Sequence, residues 1–194
     1  MVVQIVYYPH PTLRHKSKPL RRVDTEFKNI IRKMFDLMYE HKGIGLAANQ
    51  VDLPYRFFIM NLESDPAKAE EFVFINPVIS RRHGTVEGEE GCLSFPEIYA
   101  PVKRSEKVLI SAYNLAGEEV NYELNGMFAR AVQHEYDHLD GILFIDRLSQ
   151  SALLSIKDAL SDLESEFQGQ RHRGVIPDDH QIAARLADLE SLRT

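Results

Sequence analysis

The stretch KVLISAYNLAGEEVNYELNGMFARAVQHEYDHL, residues Lys107–Leu139, holds two structural periods in a single run. Lys107 to Tyr113 and Glu119 to Leu124 alternate apolar and polar residues, the pattern of strands covered on one face. Asn114 to Gly117 between them supplies the residues of a hairpin turn. From about Gly126 to Leu139 the chain reads as a helix. On the N-terminal side, Tyr55 to Leu62 (YRFFIMNL) and Phe72 to Ile79 (FVFINPVI) are short β-prone runs, and residues 63–71 (ESDPAKAEE) form a solvated loop between them. Phe27, Ile30, Ile31, Met34, Leu37 and Met38 recur at steps of mostly three and four. Residues 24–42 are therefore expected to be a helix, capped by Asp24 and stopped at Gly43. Strands clustered in the middle with helices on either side predict an α+β fold. Mixed or antiparallel strands should surround the Gly126–Leu139 helix, with one helix N-terminal to them and further helices at the C-terminus.

Past Arg147 the composition shifts. Leu153, Ile156, Leu160, Leu163 and Phe167 mark an amphipathic helix from about Ser151 to Phe167, expected to bury its stripe on the domain or on a second subunit. Residues 168–174 (QGQRHRG) read as a linker, and Ile182, Leu186, Leu189 and Leu192 as a last short helix. The segment after Gly169 is expected to be mobile or swapped onto a neighbour. This divides the chain into a catalytic unit, 1–148, and a helical tail, 149–194, which belongs to the same domain or makes an oligomer contact.

With 44% apolar and 27% charged residues the chain has the balance of a soluble globular protein. Its formal charge of −6 argues against a dedicated nucleic-acid binder and direct DNA contact. No run of about 18 apolar residues exists, so no membrane span is expected. The N-terminal residues lack a basic leader and an unbroken apolar core, so they are not read as a signal peptide. The single cysteine, Cys92, cannot form an internal disulfide, which points to a reducing compartment, the cytoplasm, or to a thiol with a task.

His134-Glu135-Tyr136-Asp137-His138 concentrates the chemistry. Residues four apart share a helical face, so His134 and His138 can both point at one metal ion, and Glu135 can accept a proton from a water held beside it. Two surface histidines on a helix would read the same way. A catalytic divalent metal usually takes three protein ligands, and Cys92 in EGCLS is the natural third. The competing reading of Cys92 is a small buried hydrophobe. Gly43-Ile44-Gly45-Leu46-Ala47-Ala48-Asn49-Gln50 adds glycines that permit close backbone approach and an amide, Gln50, able to donate to an oxyanion. A helix C-cap followed by a loop would also explain it.

GIGLAANQ, EGCLS and QHEYDHLDG, in that order and spacing, resemble the three signature motifs of peptide deformylases, and the resemblance runs from about Gln4 to Arg147. It implies hydrolytic removal of the formyl group from the N-terminal methionine of newly made proteins. Cys92, His134 and His138 would be the metal ligands and Glu135 the general acid/base. Gln50 and the Leu93 N–H would steady the formyl oxygen, and the Gly45 backbone would meet the substrate amide. One divalent metal per chain is implied, natively ferrous iron, with zinc, nickel or cobalt as substitutes. Arg130, Ala131 and Met127 precede His134 on its helical face and, with Ile44 opposite, are expected to form the methionine pocket. There Arg130 would lay its stem along the wall and keep its head in water. Glu90 and Arg104 are a candidate pair behind the Cys92 segment.

The implied partners are formylated nascent polypeptides, a transient ribosome contact and a second copy in a homodimer. Two features depart from the family pattern. Tyr99 stands where many members carry Arg, and the tail is acidic where some relatives dock a basic helix on the ribosome. Two alternatives remain at this stage: an H-E-x-x-H metalloprotease that cleaves internal peptide bonds, and a catalytically silent relative that binds formyl peptides.

Overall fold

The computed structural model describes residues 3–68 and 70–194. Within the loop expected at 63–71, Ala69 therefore lies outside the described residues. Among the described residues seven strands form two sheets: β1 (Gly45–Ala47), β2 (Phe57–Met60), β3 (Phe72–His83), β6 (Lys107–Tyr113) and β7 (Glu119–Asn125) make one antiparallel sheet in the order β1-β2-β3-β6-β7. The other is a hairpin of β4 (Val86–Cys92) and β5 (Phe95–Arg104). The helices are α1 (Thr25–Glu40), α2 (Gly126–Leu139), α3 (Gln150–Ser155), α4 (Lys157–His172) and α5 (Asp179–Arg193). The α+β architecture expected from the sequence is the one observed. Among the described residues no helix is long and apolar enough to cross a membrane.

The short run FFIM of β2 is buried at every position because both faces of that strand are covered. Phe57 and Ile59 join Phe27, Ile30, Ile31, Met34 and Met38 of α1 in one core cluster. Phe58 and Met60 face the other way, into a cluster with Val108 and Ile110 of β6 and Ala129 and Val132 of α2. A third cluster lies beyond the hairpin, where Ile98, Ala100 and Val102 of β5 pack on Phe144, Ile156 and Leu160. α2 thus lies between the five-stranded sheet and the hairpin. Asp24 caps α1 as expected, its side chain accepting from the Phe27 N–H at 2.8 Å. The left-handed residue that ends α1 is Lys42 (φ 55), not Gly43. The Gly43 N–H instead reaches back to the Met38 carbonyl at 2.8 Å, closing a Schellman turn.

β4 and β5 gave no signal in the sequence. VEGEEGC has almost no β-prone residue, and Pro96 and Pro101 interrupt the Ile98-Ala100-Val102 alternation. Each strand pairs on one side only, and proline is tolerated at such an edge.

The tail differs from expectation in three ways. The first helix breaks at Ile156, and α4 continues to His172 through the residues read as a linker, leaving 173–178 as the connection. Leu153, expected to be buried, is exposed, whereas Ile156 and Leu160 are buried and Leu163 is half-buried. The last helix, expected to be mobile or swapped, docks on its own domain. Its Ile182, Leu186 and Leu189 are buried, and Tyr55 donates to the Leu189 carbonyl at 2.8 Å. Arg193 pairs with Asp24 at 3.3 Å and Glu26 at 2.6 Å, while Glu190 holds His15 at 2.8 Å and Lys18 at 2.6 Å. The apolar spacing of α5 was visible in the sequence; its polar partners lie more than 130 residues away and were not.

This docking sets a measurable expectation. Leu186→Ala should cost about 2–5 kcal/mol as a buried large-to-small change, lowering Tm by roughly 5–15 °C. Leu154→Ala, at a residue 64% exposed, should leave Tm within about a degree. Equal melting of the two variants in a thermal scan would show that α5 does not pack on the domain.

Candidate metal centre

α2 turns one face to the five-stranded sheet through Ala129 and Val132 and the other to the hairpin through Arg130, His134 and Asp137. On that second face His134 and His138 stand one turn apart, ring centroids 5.0 Å from each other. The hairpin brings Cys92 opposite them, its Sγ 3.4 Å from His138 Nε2. One ligand atom from each of Cys92, His134 and His138 lies within 4.8 Å of the others. A thiolate and two imidazoles are a donor set for zinc or another first-row divalent metal, and three ligands leave a coordination position open. The residues present therefore fit a single metal.

The groups behind the ligands support the same fit. Glu90 Oε2 faces His134 Nδ1 at 3.0 Å, which turns Nε2 of that ring to the centre. Burial pushes the Glu90 carboxyl up, but hydrogen bonds from His134 and Arg104 more than reverse this and hold it well below the usual carboxylate range. Burial opposes charge on both imidazoles. At His134 the contacts with Cys92 and Glu90 reverse that balance and raise its pKa, whereas at His138 the neighbouring His134 and Arg104 add to burial and lower it. A proton at His134 competes with a metal for this centre, so affinity should fall in acid.

Arg130 corrects an expectation. Its head does not reach water but is buried against the hairpin. Nη1 donates to Glu90 at 2.7 Å and to the Val102 carbonyl at 3.0 Å, and Nη2 to the Val86 carbonyl at 2.9 Å. A guanidinium carries five N–H donors, and three backbone carbonyls of these strands together with the Glu90 carboxylate accept from it. Arg104 binds both oxygens of Glu90 at 2.9 Å, as its candidate pairing required. It also pairs with Asp137, which Arg147 holds from the other side. Asp137 was not singled out beforehand. It lies three residues after His134 on the same helical face, but its arginine partners sit in other elements, Arg104 33 residues before it and Arg147 ten after.

GIGLAANQ folds as the edge strand β1 followed by a 3-10 turn, Ala48–Val51, rather than as a loop. A Cβ at Gly45 would lie 2.5 Å from Glu135 Oε1, so only glycine allows this strand to cross the carboxylate. Gln50 Oε1 accepts from the Ala47 N–H at 2.8 Å, which directs Nε2 to Cys92 Sγ at 3.3 Å. Glu135 is buried with Oε2 unpartnered among the described residues. Burial is the largest cause that raises its pKa, to about 7 from 4.5.

These groups meet at a cleft of about 640 Å³. Cys92, His134, Glu135 and Gln50 line its floor, with His138 buried beneath. Ile44, Gly45 and Leu93 contribute one part of the wall and Met127, Arg130 and Ala131 another. Tyr99, 62% exposed, also lines the cleft, its ring packed over Gly91.

The family model described as polypeptide deformylase matches residues 2–153. A peptide deformylase of Rhodopirellula baltica is 43% identical over 194 residues, 100% of this chain and 96% of its own length. One from Neisseria meningitidis is 46% identical over 159 residues, 82% of this chain and 94% of its own. The crystal structure of a plant peptide deformylase superposes with a TM-score of 0.85 at 41% identity, covering 91% of this chain and 95% of that one.

The Glu135 shift predicts how stability depends on pH without metal. The native carboxyl binds its proton more tightly than the unfolded one, so its contribution is complete below about pH 4.5 and is lost as pH rises through 7. Relative to Glu135→Gln, the metal-free wild type should lose about 3 kcal/mol between pH 4.5 and 8.5. A stability difference between the two proteins that stays constant over this range would show that burial does not hold the carboxyl neutral.

Proposed function

The chain belongs to the polypeptide deformylase family, and from that premise we propose how its residues remove the formyl group from the N-terminal methionine of nascent polypeptides. The observation that carries the assignment of roles is the Cys92–His134–His138 cluster beside a buried, unpartnered Glu135 oxygen at the floor of the cleft. A divalent cation held by the three ligands would supply Lewis acidity, polarising the formyl oxygen and making a water nucleophilic near neutral pH. Glu135 takes the proton of the attacking water and returns it to the leaving amine, so that water and formamide become formate and free amine. Burial raises its pKa in the metal-free protein, which favours holding the proton between the two transfers.

Gln50 Nε2 and the Leu93 N–H donate to the oxygen that gains charge in the transition state. Leu93 belongs to the turn between β4 and β5, next to Cys92, and Gln50 is held by the Ala47 N–H, so neither donor needs to reorganise. β1 is an edge strand, and at Gly45 its backbone can pair with the amide of the incoming peptide. Ile44, Met127 and Ala131 receive the methionine side chain. Arg130 acts on this pocket indirectly, by fixing the hairpin that forms its far wall. Ferrous iron is the proposed native metal, and residues 1–148 the catalytic unit that holds it. A thiolate ligand suits a reducing compartment, and the cytoplasm is the proposed place of work.

Formyl-Met-Ala-Ser should be converted to formate and Met-Ala-Ser. Glu135→Ala should retain one metal per chain and lose about 10²–10⁴-fold in kcat or more, and Gln50→Ala about 10²–10³-fold. Cys92→Ala should lose metal as well. Cleavage within the peptide with the formyl group retained would overturn the reading, and so would loss of metal from Glu135→Ala.

The iron form should decay in air, because ferrous iron beside a thiolate is open to oxidation, while the nickel form survives. Equal decay of the two, followed by formate release, would exclude oxidation at the metal centre as the cause.

A further inference from the structure

A second cavity of about 380 Å³ lies behind the N-terminal segment Gln4–Tyr8, closed on its far side by α4 and the 173–178 connection. Its size falls within the range of ligand sites. Val6, Leu163, Phe167 and Ile176 give it apolar walls, and nothing in the proposed chemistry uses it. Tyr7 and Pro96 line this cavity and also the metal cleft. Both are exposed, so the boundary between the two spaces is an open saddle at the surface rather than a closed partition. The saddle is firmly held. The Val6 N–H donates to the Gln50 carbonyl at 2.8 Å and the Tyr8 N–H to the Ser94 carbonyl at 3.0 Å, while the Tyr8 ring stacks on Phe95 at 4.9 Å.

One buried histidine lines this cavity: His10 is 5% exposed. Its Nδ1 accepts from the Thr12 N–H at 3.3 Å, so in the neutral ring the proton sits on Nε2. Burial lowers the His10 pKa, which keeps the ring in that neutral form. A cavity with Val6, Leu163, Phe167 and Ile176 on its wall beside the polar side chains of His10, Gln4 and Gln170 is complementary to a peptide segment, whose apolar side chain packs on the first group while its backbone hydrogen-bonds the second.

We propose that the second cavity is a distal subsite for the same nascent chain, receiving an apolar side chain several residues downstream of the formyl-methionine. This rests on the deformylase reading, because continuity with the metal cleft identifies the occupant. A peptide leaving the cleft across Tyr7 and Pro96 enters the chamber without any movement of the protein. Peptides too short to cross the saddle gain nothing from it.

The test uses metal-loaded full-length enzyme and formyl-Met-Ala-Ser extended with Ser and Gly to nine residues, with a single Leu or Phe moved through positions 4 to 8. An apolar residue at one favoured position should raise kcat/KM about tenfold through KM, equivalent to about 1.4 kcal/mol of the burial of one side chain. Ile176→Trp, which fills the chamber from the side of the 173–178 connection, and Val175→Asp, which puts charge at its 68% exposed wall, should each abolish that gain. Both variants should leave formyl-Met-Ala-Ser turnover within twofold. Equal kcat/KM at all positions would overturn the proposal, as would a position-dependent gain that survives both variants. Failure to release formate from formyl-Met-Ala-Ser would strike at the catalytic reading instead, so the two failures are distinguishable.

Discussion

The buried carboxylate of Glu90 is the point on which the rest of the site depends. Arg104 binds both of its oxygens, Arg130 one of them, and His134 meets it through Nδ1. Two guanidinium groups and a carboxylate withdrawn from water carry a large desolvation penalty, and their mutual attraction returns it only with near-ideal geometry. What the arrangement secures is orientation. It ties β4 to β5 and both to α2, turns the His134 ring, and so determines where Cys92 meets the two histidines.

The same cluster explains why a strand as poor as VEGEEGC forms at all. β4 has little apolar surface to bury, so the hydrophobic effect cannot dock it. Its backbone carbonyls at Val86 and Gly88 accept instead from Arg130, a residue of the helix it must face. The five-stranded sheet is held to α2 by apolar contact, and the hairpin by charged hydrogen bonds. The cleft is bounded by the segment around β1, the hairpin and α2. The metal ligands lie where both kinds of contact meet.

Glu135 illustrates the cost of this placement. Its side chain is pressed under Gly45 with one oxygen lacking a partner, a state that destabilises the metal-free protein above neutral pH. The same burial brings its pKa to the range where a proton can be taken and returned. Stability is thus lower at the group proposed to move protons, and the docked C-terminal helix contributes stability elsewhere through Tyr55, Arg193 and Glu190.

By itself the sequence determined the helices and the strands with clear periodicity, from the α1 stripe to the β6–β7 hairpin. It also determined the chemistry concentrated in HEYDH, EGCLS and GIGLAANQ. These signals are local: a helix puts residues four apart on one face whatever surrounds it. Tertiary structure alone decided that Arg130 grips a hairpin instead of extending into water, and that Lys42 rather than Gly43 takes the left-handed turn. It also decided that Asp137 joins Arg104 to Arg147 and that the last helix lies on its own domain. The acceptors of Arg130, the Asp137–Arg104 pair and the contacts of the last helix join residues dozens of positions apart, and no local period records them. Buried polar groups take whatever acceptors the fold brings near, and those are known only once the chain has closed on itself.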